Sequence, residues 1–442
     1  MTEKINLRHA AAEIERAALL AAHPAEAIRR HLQRVTDWIM VGDVKYRLSE
    51  IERVFMVAFG QAAVAMADAA ADFFDDRIAA GIVIAQSPGL PPAACELYLG
   101  GHPIPSENSV LAGQRIADLL GQAQANDLVV CLISGGGSAL VALPVEGVTL
   151  ADMQALTDAL LRGGATISEL DAIRKHLDRI TGGGIARMAG QARVLCLIMS
   201  DVVGDRLDVI ASGPASPDST TFADAWHVVE RYGLAESIPG AIREHLLAGV
   251  RGTIADTPKP GDALFDGVQN VIVGSNRQAA QAAVKRAEQL GFDALLLSSF
   301  VEGEARQVAR VAAALAKEVI HYDQPAKKPA CLVWGGKTTA TVRGKGIGGR
   351  NQELALAAAM ALDGCGAVLV EALGTDGADG LTDAAGALAA GDTIVRAKAI
   401  GLDAASHLAE NDAYHFFAPL GDLIFTGSTG TNVNDLLFIL IH

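Results

Sequence analysis

Residues able to do chemistry gather in a few short segments of the chain, and most of these segments are rich in glycine. Ser134-Gly135-Gly136-Gly137-Ser138 directly follows an apolar run ending at Ile133. A strand running into glycines lets the backbone approach an anion and aims successive N–H groups at it, while Ser134 or Ser138 adds a hydroxyl donor. The same triplet also suits a tight turn that only packs. No Gly-Lys-Ser/Thr follows, so it is not a Walker loop. A second, basic segment holds Arg174-Lys175-His176, then Arg179 and Thr181-Gly182-Gly183-Gly184. A third, Ser200-Asp201-Val202-Val203-Gly204-Asp205, puts carboxylates at the end of an apolar run, where they could hold Mg²⁺ or accept a hydroxyl proton. Ser212-Gly213-Pro214 closes that loop.

The densest segment runs from Gly335-Gly336-Lys337-Thr338-Thr339 through Gly344-Lys345-Gly346-Ile347-Gly348-Gly349 to Arg350-Asn351-Gln352-Glu353. Residues 335–350 contain four basic side chains and no acid, and an alanine- and leucine-rich helix pattern follows. Mobile backbone N–H groups, cations and a helix start together suit a polyphosphate. A glycine hairpin with solvent-facing lysines is the plainer reading. Gly374-Thr375-Asp376-Gly377-Ala378-Asp379-Gly380, with Asp383, offers oxygen ligands for a hard cation, though not in an EF-hand pattern. Thr426–Asp435 is a further hydroxyl- and amide-rich loop. Phosphoryl transfer needs such parts, because its catalysis is mainly positioning plus charge neutralisation.

The elements that must position these residues are legible as alternating signals. Residues 6–34 read as a helix pair broken at Pro24. Strand-like runs fall at 53–59, 81–85, 128–133, 194–199, 270–273, 294–297, 331–334 and 368–373. Helical patterns fall near 60–74, 150–161, 168–179, 222–232 and 276–290. Short, continuously apolar strands separated by helices predict parallel sheet covered on both faces. Proline-rich polar stretches at 250–262 and 322–329 read as linkers, giving an N-terminal domain over 1–250 and a C-terminal region over 263–442.

With 36 Lys and Arg against 51 Asp and Glu, the 442-residue chain carries a formal charge of −15, which argues against nucleic acid or an anionic membrane as partner. The longest uncharged run, 128–145, is broken by three glycines and Pro144, and the charged residues from Met1-Thr2-Glu3-Lys4 onward leave no apolar signal-peptide core. Five scattered cysteines without metal-type spacing fit reduced thiols in a cytoplasm. The expected partner is a small-molecule substrate; self-association as a homodimer stays open.

Taken in order, the segments resemble the glycerate 2-kinase family, also known by its MOFRL domain and by the older name hydroxypyruvate reductase. The resemblance rests on Ser134–Leu140, Arg174-Lys175-His176-Leu177, Ser200–Asp205 with Ile210–Pro214, Thr257-Pro258-Lys259, Gly303-Glu304-Ala305-Arg306, Gly348–Glu353, Gly374–Gly380 and Gly427–Asp435. It implies ATP- and Mg²⁺-dependent phosphorylation of D-glycerate at its 2-hydroxyl. It also implies a Rossmann-like N-terminal α/β domain, a smaller α/β MOFRL-type domain over about 330–436, and an active site in the cleft between them. On that reading Ser134–Ser138, Gly335, Gly336, Thr338, Gly348, Gly349 and Asn351 hold ATP. Lys175, Arg350, Asp201 and Lys337 serve catalysis, and Asp201, Asp205 and Asp376 hold Mg²⁺. The chain departs from the family pattern at Gln61, where a lysine is usual, at Lys337, where a glutamate is usual, and at Asp171 and Asp178, where an asparagine and a serine are usual. The first two changes are opposite in sign, so Lys337 is expected to restore the charge that Gln61 lacks. The alternatives are a nicotinamide-dependent hydroxypyruvate or tartrate-pathway reductase, for which no Gly-x-Gly-x-x-Gly follows a strand with an acid about 20 residues on, and a diverged, weakly active or non-catalytic relative.

Overall fold

The computed structural model describes residues 6–74 and 77–442; Met1–Ile5, including the charged start, lie outside it. The chain forms two compact units.

The larger unit comprises residues 27–200 and 205–273. Its six-stranded sheet has the order Cys95–Leu99, Ile78–Ala85, Val54–Phe59, Leu128–Ile133, Arg193–Met199, Val268–Gly274. The first five of these strands pair in parallel. Val54–Phe59 and Leu128–Ile133 are buried at every position, as expected of strands covered on both faces. From Val54–Phe59 the chain adds strands outward on one side, and from Leu128–Ile133 outward on the other. The order therefore reverses between these two strands. Beside this sheet lie a three-stranded antiparallel sheet over Leu32–Arg47 and a helical cluster over 150–250 with its own core of Leu156, Leu160, Phe222, Val228, Ile242 and Leu246.

The smaller unit comprises residues 6–26, 201–204 and 274–442. Its sheet has the order Asp293–Glu304, Ala330–Thr339, Asp435–Ile441, Val368–Gly374, Gly386–Ala390, Leu423–Ile424. Only the first pair is parallel; the remaining pairings are antiparallel. The continuously apolar runs here do not give strand direction, because such a run encodes burial on both faces and nothing more. Helix Ala305–Tyr322 buries Ala305, Ala309, Ala312, Ala313 and Ala316 against this sheet's core, a stripe at three- and four-residue spacing.

The domain boundaries also differ from the expected ones. Helix Leu7–Ala21, placed by sequence in the N-terminal domain, packs its Ala10, Ala11, Ile14 and Ala18 face on helix Asn276–Gln289 of the smaller unit. Small side chains on both faces let the two backbones approach. The 250–262 stretch is no free linker either, since Asp256, Thr257 and Lys259 are hydrogen-bonded within the larger unit. The 322–329 stretch lies inside the smaller unit. Among the described residues no helix is long and apolar enough to cross a membrane.

Candidate functional site

In open α/β sheets ligands bind beyond the carboxyl ends of the strands, at the point where strand order reverses. In the larger unit that point is flanked by the loops leaving Phe59 and Ile133, which are register partners. The two loops are tied together: Ala62 N donates to Ser134 Oγ at 3.0 Å and Gln61 N to Gly135 O at 2.9 Å. Gly136 stands at φ +81°, a left-handed position beside the His102 ring, where a side chain is strained. Among the described residues, no acceptor of the chain meets the backbone N–H groups of Gly135, Gly136, Gly137 and Ser138. Four successive donors without an acceptor are the geometry that the glycine triplet predicts for a candidate anion cradle.

Ser138 Oγ lies 2.9 Å from Ser212 Oγ, and Ser212 Oγ donates to Asp171 Oδ1 at 2.8 Å. Arg174 approaches the same carboxylate at 3.5 Å. Burial raises the Asp171 carboxyl above its usual range, against the pull of Arg174 and Ser212. Ala211 and Ser212 are both left-handed, at φ +49° and +59°, and strain of this kind persists where the surroundings over-determine it. Sequence reasoning missed Ser212 and Asp171 as site residues. Asp171 was visible only as a departure from the family pattern.

Lys175 is placed differently from expectation. Its ammonium is buried and lies 3.3 Å from the fully buried Asp218. Burial opposes ionisation of Asp218, but Lys175 and hydrogen bonds from Thr220 and Thr257 outweigh it and hold its carboxyl below the usual range. The charge assigned by sequence to a substrate anion is thus balanced within the chain.

In the smaller unit the chemistry centres on the start of helix Arg350–Ala361. Arg350 forms a two-pronged pair with Asp435, at 2.5 and 2.6 Å. Asp379 accepts from Asn351 N at 3.1 Å and Gln352 N at 2.8 Å, and Asn351 Nδ2 bridges Asp379 and Asp435. A Cβ on Gly349 would fall 2.2–2.4 Å from the Asp379 carboxyl group, so only glycine admits this cap. Burial pushes the Asp379 carboxyl up to about 6, against the two N–H donors. Asp201 joins the same unit through its carbonyl, which accepts from Asn434 Nδ2 at 2.7 Å, one residue before Asp435. Asp376 is half-buried and its carboxylate accepts from Ala378 N.

The long glycine-rich segment corrects the sequence reading in three ways. Gly335, Gly336, Lys337 and Thr338 are not a loop but the end of strand Ala330–Thr339, with Gly336 paired to Asp435 and Val301. Alternation along that strand turns exposed Lys337 away from the face of buried Thr338, and Lys337 stands opposite Glu302. The donors of residues 343–347 are consumed: Asn411 Oδ1 accepts from Arg343 and Gly344, and Glu410 and Asp412 take Lys345, Gly346 and Ile347. The helix start is filled by Asp379. Gly348 and Gly349 lead directly into it.

Of the three aspartates expected at a metal, Asp201 and Asp376 belong to the smaller unit and Asp205 to the larger. Among the described residues no group of three or more His, Cys, Asp or Glu is gathered for a metal ion. A magnesium ion held by one or two carboxylates, with water and substrate phosphates completing its octahedron, needs no such group. Asp376 and Asp201 fit that sparse donor set.

An anion cradle at the switch point of a parallel sheet, and an arginine set among carboxylates at a helix start in a second α/β unit, define the class as an α/β phosphotransferase. Comparison with known proteins specifies it. Residues 10–247 match a domain of unknown function (DUF4147), and residues 330–435 match the MOFRL family. The chain is 41% identical to the D-glycerate 2-kinase of Thermotoga maritima, covering 100% of both chains. It is 38% identical to the glycerate 2-kinase of Pyrococcus horikoshii, covering 96% and 95%. A crystal structure of glycerate kinase from Thermotoga maritima superposes with a TM-score of 0.88 at 40% identity, covering 99% of each chain. The chain belongs to the glycerate 2-kinase family.

Proposed function

We propose that this protein is an ATP-dependent kinase that phosphorylates the 2-hydroxyl of D-glycerate, giving 2-phosphoglycerate. The observation that carries the reading is the row of four unpaired N–H groups from Gly135 to Ser138 at the reversal of strand order. Such a row suits the phosphates of ATP. Ser138, held by Ser212 and Asp171, supplies a fixed hydroxyl there. Arg350, oriented by Asp435, neutralises charge on the transferring phosphoryl or the glycerate carboxylate. Magnesium, when bound through Asp201 or Asp376, supplies neutralisation of phosphate charge. A cytoplasmic enzyme fits five cysteines that are all free thiols.

The test is to incubate the protein with D-glycerate, ATP and Mg²⁺, and separately with hydroxypyruvate and NADH or NADPH. ADP formation with 2-phosphoglycerate as product is expected. Oxidation of the nicotinamide without ADP would select a reductase, and tight binding without turnover a non-catalytic relative. Arg350→Ala should lower kcat/KM on the order of 10²–10³-fold, the range found when one charge-stabilising donor is lost, whereas Arg16→Ala should change it little. Equal effects would remove Arg350 from the site.

A further inference from the structure

The basic segment at 174–187 is not used by the phosphate loop, yet it encloses space. A cavity of about 290 Å³ in the larger unit is lined by Lys175, His176, Thr181, Arg179, Arg187 and His245, with Asp178 and Thr257 among the remaining walls. The inner groups are already matched. Lys175 is paired with Asp218. Asp178 accepts three backbone N–H groups, from Leu143, Ile180 and Thr181. The two ring nitrogens of His176 lie 2.6 Å from Ala172 O and 2.9 Å from Asp256 Oδ1. His245 Nε2 donates to His176 O at 3.0 Å.

Three groups are not matched. Arg179 is exposed at the cavity wall; its backbone N donates to Leu143 O, but its guanidinium has no hydrogen-bond or ion-pair partner among the described residues. Among the described residues the Arg187 guanidinium meets only the carbonyl oxygen of Asp256, at 3.1 Å, which leaves its charge unbalanced. Thr181 is 3% exposed, yet its Oγ1 is buried with no hydrogen-bond partner. A buried hydroxyl without a partner costs stability, and such groups are rare in folded proteins. Two unneutralised guanidinium groups and an orphan hydroxyl on one cavity are what a small, doubly charged anion would satisfy, because arginine forks match carboxylate and phosphate oxygens.

We propose that this cavity is an anion site distinct from the 134–138 loop, taking a compact dianion that presents a phosphate group or two carboxylates. The site has a route to the phosphate loop. Gly182 N donates to Ser212 O at 2.9 Å and Gly183 N to Gly213 O at 2.8 Å, so the cavity floor is bonded to the left-handed segment that carries Ser212 to Ser138. An occupant is therefore positioned to alter the geometry of the phosphate loop.

The experiment is calorimetric titration of the full chain with inorganic phosphate and, separately, with malonate. Saturable binding of either ion is expected, and which ion binds identifies the anion's source. Binding should persist in Gly136→Ala, which damages the 134–138 cradle. It should weaken at least about tenfold in Arg179→Gln/Arg187→Gln, whose exposed side chains can be changed without disturbing the core. Thr181→Val, which keeps shape and removes the hydroxyl, should weaken it more modestly while Thr181→Ser restores it. Binding that survives the double arginine change, that disappears in Gly136→Ala, or that is absent for both ions up to about 10 mM overturns the proposal.

Discussion

Two glycine-rich loops of this chain look alike on paper and behave oppositely. Residues 134–138 and 344–349 both follow apolar strands and both run into helices. In the first, four consecutive N–H groups have no acceptor among the described residues. In the second, donors from Arg343 to Ile347 are taken by Asn411, Glu410 and Asp412, and Asp379 caps the helix beyond. Glycine content reports close approach of backbone to something. Whether that something is a ligand or another part of the chain depends on where the hydrogen bonds go. The first loop leaves its donors free for the phosphates of the proposed reaction. The second is built to hold Arg350 and its carboxylates in place.

That contrast can be broken by substitutions on either side. Within the two loops the largest effect is expected from Gly136→Ala, which forces a side chain into a left-handed position costing about 1–2 kcal/mol and disturbs the cradle. Glycerate phosphorylation should fall on the order of 100-fold in kcat/KM, as when one preorganised donor is lost, while thermal unfolding moves by only a few degrees. A large stability loss with unchanged turnover of the folded protein would make the 134–138 loop a structural turn like the other.

Next comes the helix cap of the smaller unit. Burial raises the native Asp379 carboxyl to about 6, well above the usual carboxylate range of about 4. The folded state thus holds its proton where the unfolded chain has released it. Its contribution to stability is full below about pH 4 and is lost as pH rises through 6, a change of about 3 kcal/mol. Urea midpoints at pH 4 and pH 7 should show this slope in the native protein and a flatter one in Asp379→Asn. An unchanged slope would mean that Asp379 is not the group responsible.

Asn411→Ala should act on stability alone. It removes the acceptor of Arg343 N and Gly344 N and the donor to Glu353 Oε2, at a cost of about 1–3 kcal/mol. The KM for ATP in the folded protein should stay constant. A clear rise in that KM would show that the 344–349 loop also binds nucleotide. The smallest effect is expected from Lys337→Glu. With its side chain exposed on the face opposite Thr338, the change should alter kcat/KM less than about threefold, typical of an exposed charge. A collapse of activity would restore the idea that Lys337 compensates for Gln61.

Much of the fold was readable from pattern. The runs at 128–133 and 194–199 became strands Leu128–Ile133 and Arg193–Met199 almost residue for residue, because each is continuously apolar and flanked by polar or glycine-rich breaks. Pairing direction in the smaller unit was not readable, since 330–339 and 435–441 would look the same in either orientation. The candidate site was partly readable. Gly135–Ser138, Arg350, Asn351, Asp201 and Asp376 were named from sequence. The partners that orient them were not, because Ser212, Asp171, Asp379 and Asp435 act across 28 to 85 residues of sequence separation, which only the folded chain brings to hydrogen-bond distance. The counter-ion of Lys175 was missed for the same reason: Asp218 lies 43 residues on.

The sheet order of the smaller unit also sets a timetable for the growing polypeptide. Asp435–Ile441, the latest of its strands to be synthesised, sits in the interior of the sheet between Ala330–Thr339 and Val368–Gly374. Helix Leu7–Ala21, the earliest described element, finds its packing face on Asn276–Gln289, made more than 250 residues later. During translation the larger unit can assemble while the first helix waits, and the smaller unit stays split into two half-sheets until its last strand is free. A unit closed by its final strand tolerates little shortening at that strand. Non-local closure of this kind is slow and leaves apolar strand edges open in the interim.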